Sequence, residues 1–394
     1  MELFLTHACN LHCTYCYNGA PFARAMPQDV MERAVDLAFR EGAGPVDIAF
    51  FGGEPLLAFD SIVAAVERCD AASRDTGRPV RYRMTTNGTL LSGMRADFVV
   101  GRRFRVAISL DGPADVHDRA RPFAGGSGSH AVVVANLRAL LPRMPDLPVI
   151  TVVGPSQAAR VRACFDHVTS LGVRRHHLAL DYNAAWDDAA VAALAISLGE
   201  VADAVADTYR AGRPVSVPIL DAKIARHVLH RLVRITRCAC GRGQFVVAPS
   251  GRMYPCDRMV GADDGTGCVI GHIDTGFDSA ARARFLGCHD GTPVRCRTCA
   301  IAHRCSFGGS CIRWALTGRI DAFPEGLCRL EEVLIAAADR LAEPLFAEGN
   351  ATFRRRFYGS PDALSALACR GLDPDGLFDE TDRAGEGPAN LVTS

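Results

Sequence analysis

The sequence predicts an α/β protein in which a partial (β/α)6 TIM-like barrel precedes a cysteine-rich domain. Two observations lead to this class. Short apolar runs alternate with amphipathic stretches through the first half of the chain, and most of the cysteines gather in one later segment. Six successive strand–helix units are typical of parallel strands joined by crossover helices. Because a complete barrel has eight units, we expect a partial one.

Each predicted strand is a short apolar run. The six are Glu2–Thr6, Val46–Phe51, Val80–Thr85, Arg105–Leu110, Val149–Val153 and Arg175–Asp181. Apolar residues at helical spacing predict helices between them, at Pro27–Arg40, Asp60–Cys69, His130–Leu141 and Ser156–Leu171. A long Ala-rich helix, Asp187–Arg210, follows. Glu331–Leu341 is predicted as a closing helix, with Pro344 as its stop.

These elements define the predicted domains. The barrel occupies residues 1–210, a linker 211–236, the cysteine-rich domain 237–330 and a helical segment 331–372. Residues 373–394 are rich in Gly and Asp, which favours a disordered tail. The cysteine-rich domain has few aliphatic residues for a core, so we expect it to need metal to fold.

Composition narrows the functional classes. The formal net charge is zero, so no global field favours nucleic acid or an acidic membrane. The N-terminus lacks the features of a signal peptide, and we find no run of about 18 apolar residues. We therefore expect a cytoplasmic protein without a membrane span. Sixteen cysteines in a reducing compartment indicate metal ligands before disulfides.

The first cysteine cluster directly follows the first strand. Cys9, Cys13 and Cys16 have the spacing C-x3-C-x2-C. Three thiolates on a short loop suit three irons of a 4Fe–4S cluster and leave the fourth iron open to a cofactor. A zinc ion is the alternative, and it would need a fourth ligand such as His7 or His12.

The residues around these cysteines resemble the radical S-adenosylmethionine (SAM) superfamily. The stretch THACNLHCTYCYN carries an aromatic residue, Tyr15, just before the last cysteine. FFGGEP (Phe50–Pro55), TTNGTLL (Thr85–Leu91) and SLDGP (Ser109–Pro113) each lie where a strand ends, the side of a barrel where ligands bind. Each of these three motifs alone would read as an ordinary turn, whereas their order and position favour the family. The resemblance covers about residues 1–185.

The resemblance implies a SAM site and a role for each motif residue. Cys9, Cys13 and Cys16 would bind the cluster whose open iron holds SAM. Gly52, Gly53 and Glu54 would line the methionine end, Tyr15 would pack near the adenine, Ser109 would contact SAM, and Arg121 would pair with the SAM carboxylate. Asp111 is expected to shape its turn rather than to touch the ribose. The cluster would pass one electron to SAM, and the resulting 5′-deoxyadenosyl radical would abstract hydrogen from the substrate.

The later cysteines resemble the SPASM extension, which carries two auxiliary 4Fe–4S clusters in peptide-modifying members. The spacing is C-x10-G-x4-C from Cys240 to Cys256, then C-x2-C-x5-C-x5-C from Cys296 to Cys311, then Cys328. The resemblance assigns cluster I to Cys240, Cys256 and Cys311, and cluster II to Cys296, Cys299, Cys305 and Cys328. The gap of five residues before Cys311 departs from the usual three. Zinc ribbons are the alternative for this segment.

Cys238 is the candidate fourth ligand of cluster I. It lies two residues from Cys240, so both could reach one cluster, although the family usually spaces such ligands more widely. Cys268 and Cys288 are surplus to the pattern, so either one would serve instead, or cluster I has an open iron. Cys69, Cys164 and Cys369 are interpreted as buried or incidental thiols.

Asp257 is the candidate general base. It directly follows Cys256, where an aspartate of sulfatase-maturing members accepts the proton lost when a substrate radical is oxidised. The alternative is an ion pair with Arg258 or Arg252. His176 and His177 are expected to be structural, and the Arg354–Arg356 run to be a solvated face rather than a site for an acidic peptide.

The predicted function is that of a maturase acting on a ribosomally synthesised peptide or protein. Hydrogen abstraction would lead to a crosslink or an oxidation. The alternatives are an anaerobic sulfatase-maturing enzyme that makes formylglycine and a non-catalytic iron–sulfur electron carrier. Only eight residues precede Cys9, so we expect a separate leader-binding protein, or the segment after Leu341, to hold a leader. A flavodoxin or ferredoxin is the expected electron donor.

Overall fold

The structure is a computed structural model that describes residues 1–42, 44–229, 239–290, 294–306, 310–322, 324 and 326–359. The strands are β1 (Glu2–Phe4), β2 (Val46–Phe51), β3 (Val80–Thr86), β4 (Arg105–Ser109), β5 (Pro148–Val153), β6 (Arg175–Leu180), β7 (Val246–Val247), β8 (Arg252–Tyr254), β9 (Gly271–His272) and β10 (Gly276–Phe277). All six strands predicted in the first half are present, within two residues at each end. The α/β class is confirmed.

The helices interleave with these strands. They are α1 (Gln28–Arg40), α2 (Phe59–Thr76), α3 (Gly93–Gly101), α4 (Ala114–Ala120), α5 (His130–Leu140), α6 (Val161–Ser170), α7 (Asp188–Arg210), α8 (Pro218–Leu229), α9 (Ser279–Asp290), α10 (Ser310–Thr317), α11 (Gly326–Ala347) and α12 (Ala351–Tyr358). Helix α8 lies in the segment predicted as a linker. The predicted tail, residues 373–394, lies outside the described residues.

The chain forms two compact units, each discontinuous in sequence. Unit 1 comprises Met1–Ile150, Cys238–Gly291 and Gly308–Pro324. Unit 2 comprises Thr151–Arg237, Thr292–Phe307 and Glu325–Ser394. The cysteine-rich segment therefore contributes to both units.

Unit 1 is built on one sheet in the order β10-β9-β8-β7-β1-β2-β3-β4-β5. Strands β1 to β5 pair in parallel, with Glu2 opposite Ala49 and Val46 opposite Val80. Strand β7 is also parallel to β1, and β8, β9 and β10 continue the sheet antiparallel. The cysteine-rich segment thus extends the barrel sheet, a pairing that sequence analysis missed although Phe245–Val247 is an apolar run.

The core of unit 1 sits on both sides of β1 and β2. Phe50, Tyr82 and Phe104 stack with ring centroids 5.1 to 6.3 Å apart. On the β7 side, Phe4 packs with Val246 and Tyr254. These contacts fix the carboxyl ends of the first strands, from which the candidate site loops leave.

Unit 2 buries α7, α8, α11 and α12 around one apolar core, which β6 and the last residues of β5 also line. Helix α7 is the one described helix long and apolar enough to cross a membrane, but half of its apolar window is buried and ten of its residues pack inside. His176 is also buried, with Nε2 2.7 Å from Thr151 Oγ1, and burial lowers its pKa to about 3. His176 thus makes a buried contact within unit 2.

Two details of the predicted C-terminal segment are wrong. Pro344 does not end the closing helix but lies inside α11, because Leu341 and Leu345 on either side are fully buried and their packing sustains the helix. Arg356 is not on a solvated face: its Nη2 donates to the buried Asp221 Oδ2 at 2.7 Å.

We expect Leu341→Ala to lower the free energy of unfolding by about 2–5 kcal/mol, because it leaves a cavity at a fully buried position. Chemical denaturation followed by circular dichroism measures the change. The control is Ile196→Ala on α7, where the side chain is 68% exposed and the change should stay within about 0.5 kcal/mol. Equal effects of the two substitutions would contradict the assigned core.

Candidate active site

The loop that carries Cys9, Cys13 and Cys16 leaves the end of β1 and is bonded to its surroundings by backbone groups. Gly53 N–H donates to Thr6 O at 2.8 Å and Glu54 N–H to Ala8 O at 2.9 Å. On the other side, His12 and Thr14 N–H donate to the carbonyls of Pro122 and Ala120, both at 2.9 Å. The loop is therefore clamped between the β2 loop and the segment after α4.

The contacts to the loop sulfurs come from hydrogen-bond donors. Leu11 N–H lies 3.4 Å and Asn87 Nδ2 3.8 Å from Cys9 Sγ, and Arg121 Nη1 lies 3.9 Å from Cys13 Sγ. Burial raises the pKa of the Cys9 thiol to about 11, and the Leu11 N–H acts against that rise. Donors of this kind stabilise thiolates, which is the form that binds iron. The donor set fits a cluster.

Gly52 and Gly53 allow the β2 loop to approach the loop that carries Cys9, Cys13 and Cys16, called here the cluster loop. A Cβ at Gly52, where φ is +141°, would lie 2.4 Å from Thr6 O, and one at Gly53 would lie 2.3 Å from Ala8 O. No side chain fits in either place. Both glycines thus have a packing reason beside the predicted contact with SAM, which stays a prediction.

Glu54 is a fully buried carboxylate at the same junction. Its Oε1 accepts from Thr86 Oγ1 at 2.7 Å and Leu56 N–H at 3.1 Å, and its Oε2 accepts from Asn87 N–H at 2.8 Å. Burial raises its pKa, and these hydrogen bonds oppose the rise. Glu54 therefore joins β2 to the end of β3, and its predicted contact with SAM would have to coexist with those bonds.

Tyr15, Asp111 and Arg121 form one group beside Cys13, in which Asp111 and Arg121 are buried and Tyr15 is half-buried. Arg121 Nε donates to Asp111 Oδ2 at 2.9 Å, and its guanidinium carbon lies 5.1 Å from the Tyr15 ring centroid. The Tyr15 hydroxyl donates to the same Asp111 oxygen. Ser109, the last residue of β4, is also buried. These side chains gather at the carboxyl ends of β1 and β4, as predicted for a ligand site, while their contacts with SAM stay predictions.

Asp257 lies between two cysteine-bearing segments. Its Oδ2 accepts from the Tyr17 hydroxyl, and its Oδ1 lies 3.0 Å from Cys256 Sγ. The Arg258 guanidinium carbon stands 4.4 Å from the Tyr17 ring centroid. Burial and then the Asp257 charge raise the pKa of Tyr17 well above its usual value. Asp257 thus contacts Tyr17, which directly follows Cys16, and the neighbouring Cys256.

The later cysteines divide between the two units. Cys240, Cys256 and Cys311 all belong to unit 1, and Cys256 hydrogen-bonds with both of the other thiols. The wider gap before Cys311 therefore does not keep it from Cys256. The other four thiols belong to unit 2: Cys296, Cys299, Cys305 and Cys328. Their roles as ligands stay predictions, and Cys238 lies outside the described residues.

None of the fourteen described cysteines forms a disulfide. Cys268 lies near Cys288 and Arg284, while burial is the main cause that raises its pKa. Cys69 and Cys164 are buried, as expected of structural thiols, and Cys369 lies outside the described residues. Within the described ranges, no three His, Cys, Asp or Glu side chains converge as ligands of a single metal ion.

Comparison with known proteins now gives the class. Residues 3–160 match the family described as the radical SAM superfamily. The chain therefore carries a radical SAM domain, and the resemblance recognised in its motifs is confirmed.

Two relatives extend the match beyond that domain. A serine-type anaerobic sulfatase-maturating enzyme of Klebsiella aerogenes is 24% identical over 323 residues, covering 76% of this chain and 76% of the relative. A cysteine-type anaerobic sulfatase-maturating enzyme of Clostridium novyi is 25% identical over 327 residues, covering 76% of this chain and 84% of the relative.

Solved structures share the fold. The structure of anSMEcpe with bound AdoMet and the Cp18Cys peptide superposes with a TM-score of 0.71 at 21% identity, covering 89% of this chain and 99% of that chain. SuiB of Streptococcus suis bound to the precursor peptide SuiA gives a TM-score of 0.55 at 14% identity, covering 83% and 75%. The predicted fold is confirmed by these likenesses.

Sequence analysis missed two residues of the site. Tyr17 was passed over although an aromatic side chain directly after Cys16 was a visible signal. Asn87 was interpreted only as part of a turn motif, but its amide donates to Asn10 Oδ1 at 2.8 Å and to Cys9 Sγ. Local sequence gives no information about such contacts, because the partner of Asn87 lies 77 residues away.

We propose that the loop carrying Cys9, Cys13 and Cys16 binds iron, and we expect Gly53→Ala to release it. The added Cβ would force Ala8 O, and with it that loop, away from β2. Iron analysis and absorption spectra after anaerobic reconstitution measure the loss. The matched control is Gly44→Ala, where a Cβ meets nothing within 4 Å. A normal spectrum for Gly53→Ala would mean that this close approach does not shape the cluster loop.

Proposed function

We propose that this protein is a radical SAM maturase with SPASM-type auxiliary clusters that abstracts hydrogen from a residue of a peptide or protein, leading to an oxidation or a crosslink. The radical SAM domain supplies the reaction class. The sulfatase-maturating relatives and the peptide-bound solved structures support a peptide or protein substrate. The observation that carries the proposal is the position of Asp257 between Tyr17 and Cys256.

The residues that would hold the cofactors are those clamped at the ends of β1, β2 and β4. Cys9, Cys13 and Cys16 would ligate the first cluster, and Gly52, Gly53, Glu54, Tyr15, Ser109 and Arg121 would line SAM. When bound, the reduced cluster and SAM supply the 5′-deoxyadenosyl radical that removes a hydrogen atom from the substrate. Glu54, Ser109 and Arg121 are buried, and Arg121 places a positive charge beside the Cys13 sulfur.

Asp257 would accept the proton that the substrate loses after hydrogen abstraction. Its Oδ1 faces the Cys256 thiol, which must lose its own proton when it ligates iron. Iron binding would therefore remove that donor from Oδ1 and leave this oxygen as the proton acceptor. The Tyr17 hydroxyl would hold Oδ2 and orient the carboxylate. The later cysteines would hold the auxiliary clusters, which when bound would supply an acceptor for the electron that the substrate loses.

Anaerobic sulfatase maturation is the second candidate. Two observations favour sulfatase maturation over modification of a leader-bearing precursor peptide. The sulfatase-maturating relatives match over 76% of the chain. The TM-score of anSMEcpe is also higher than that of SuiB. The reaction would remove one hydrogen atom, one proton and one electron from a Ser or Cys side chain. From Ser this gives formylglycine directly. From Cys it gives a thioaldehyde, which water hydrolyses to formylglycine with release of hydrogen sulfide. Asp257 suits the proton step of that reaction.

The partners and the location belong to the same proposal. A flavodoxin or ferredoxin would deliver the electrons, and a separate leader-binding protein would present a precursor peptide if the substrate carries a leader. The cytoplasm is the compartment in which reduced clusters and free thiols persist. The third hypothesis is a non-catalytic electron carrier. It gives no function to Tyr15, Asp111 and Arg121, which are bonded to one another beside Cys13.

We expect the triple variant Cys9→Ala/Cys13→Ala/Cys16→Ala to make no 5′-deoxyadenosine from SAM and dithionite, because it lacks the thiolates of the first cluster. It should lose about four irons per chain and keep those of the other cysteines. Chromatography of the reaction and iron analysis measure both. Continued 5′-deoxyadenosine formation would refute the radical SAM assignment, whereas none from the wild type would favour the electron carrier.

We expect Asp257→Asn to lower product formation from a Cys- or Ser-containing sulfatase peptide by about 10²- to 10⁴-fold, because a general base is lost. 5′-Deoxyadenosine should still form, since hydrogen abstraction precedes the proton step. Tyr17→Phe should give a smaller loss, as it removes only the hydrogen bond to Oδ2. Mass spectrometry gives the ratio of product to 5′-deoxyadenosine.

The control for this experiment is Asp264→Asn, an exposed carboxylate that hydrogen-bonds only within its own turn, to Thr266. It should leave the ratio unchanged. An unchanged ratio for Asp257→Asn as well would exclude Asp257 as the base and leave the maturase proposal without its proton acceptor.

A further inference from the structure

The only lysine of the sequence is buried in unit 2. Lys223 lies on α8 with 1% of its side chain exposed. Its Nζ donates to Glu331 Oε2 at 2.5 Å, to Ser306 Oγ at 2.6 Å and to Arg304 O at 3.4 Å. All three ammonium protons therefore have an acceptor. Two of those acceptors flank Cys305.

The partner of Lys223 bonds to the same segment. Glu331 on α11 is also buried, and its Oε2 accepts from Ser306 N–H at 2.8 Å. Glu331 Oε2 therefore accepts from both Lys223 Nζ and Ser306 N–H. Lys223 Nζ also donates to the Ser306 hydroxyl, so both members of the pair bond to the residue after Cys305. The pair joins α8, α11 and the cysteine segment.

Two arginines complete the anchoring of this segment. Arg226 lies three residues after Lys223 on α8, and its Nη1 donates to Cys305 O at 2.9 Å. Arg304 donates to both oxygens of Asp339 on α11, at 2.6 and 2.9 Å. Each residue from 304 to 306 is therefore bonded to α8, to α11 or to both. Cys305 is the residue at the centre of these bonds.

The choice of lysine follows from this geometry. The chain uses arginine at every other basic position. A planar guanidinium donates in one plane, whereas a compact ammonium donates in three directions from one atom. The three acceptors around Lys223 Nζ belong to a carboxylate, a hydroxyl and a carbonyl of separate residues. An arginine would not make these three bonds from a single atom.

A buried ion pair is weak as a source of stability, because removing two charges from water costs about as much as their attraction returns. Well-packed apolar residues often replace such a pair without loss of stability. Stability alone therefore does not account for this pair. Its bonds orient the residues on both sides of Cys305.

We propose that Lys223 and Glu331 are positioning residues that hold the Cys305 thiol ready to ligate auxiliary cluster II. This inference rests on the auxiliary clusters of the proposed function. The two residues touch no iron: they fix Arg304 and Ser306, and the thiol between them takes its direction from that segment. Without the pair, Cys305 remains in the chain but no longer keeps its position relative to α8 and α11.

The test uses the full chain, reconstituted anaerobically with iron and sulfide, and the double variant Lys223→Met/Glu331→Leu. Removing both charges avoids leaving one of them buried without a partner, so the fold of α8 and α11 should persist. We expect circular dichroism like that of the wild type, a loss of about four irons per chain, and alkylation of Cys305 under native conditions by mass spectrometry. The radical SAM cluster should be retained.

The matched control is Arg340→Met/Asp203→Leu, which removes an exposed ion pair between α11 and α7. It should keep full iron and a protected Cys305. Full iron and a protected Cys305 in Lys223→Met/Glu331→Leu would overturn the proposal and leave an ordinary buried ion pair. If that variant loses its helices, Lys223→Arg decides: iron loss supports the positioning role and wild-type iron overturns it.

The proposed function is checked separately by Cys296→Ala/Cys299→Ala. If this variant holds as much iron as the wild type, unit 2 carries no cluster, and both the auxiliary-cluster proposal and the role of Lys223 fail. If it loses iron while Lys223→Met/Glu331→Leu does not, cluster II stands and only the positioning role fails.

Discussion

The close approach of the β2 loop to the cluster loop is the constraint on which the candidate site depends. Two adjacent glycines place their backbone where any Cβ would meet the carbonyls of Thr6 or Ala8. The N–H groups of Gly53 and Glu54 then bond to those carbonyls. These hydrogen bonds satisfy buried backbone groups and hold the loop in place. The three cysteines inherit that position.

Electrostatics around the loop follows from the same junction. Glu54 is buried with three donors, and Asp111 is buried with Arg121 and Tyr15, so each carboxylate at the site is compensated. His117 extends the network: its Nδ1 accepts from Asp111 N–H at 3.1 Å, and its Nε2 lies 2.9 Å from Ser129 Oγ, which donates to Arg121 O at 2.6 Å. Arg121 is thus fixed at its backbone and its side chain.

The sequence allowed the strands, the site motifs and the candidate ligands to be predicted because their signals are local. Apolar runs mark β1 to β6, and strand ends mark the motifs. The errors concern contacts between residues far apart in the chain. Pro344 looked like a stop because the packing of Leu341 and Leu345 is invisible in sequence, and Tyr17 had no visible partner because Asp257 lies 240 residues away. The pairing of β7 with β1 is of the same kind.

Cys305 and Cys311 are each held by contacts within their own compact unit. Cys305 belongs to unit 2 and Cys311 to unit 1. Cys311 stands at the start of α10 and hydrogen-bonds with Cys256, while Cys305 is fixed by bonds from α8 and α11. The proposed assignment follows the same division: Cys240, Cys256 and Cys311, proposed for cluster I, lie in unit 1, and the four thiols proposed for cluster II lie in unit 2.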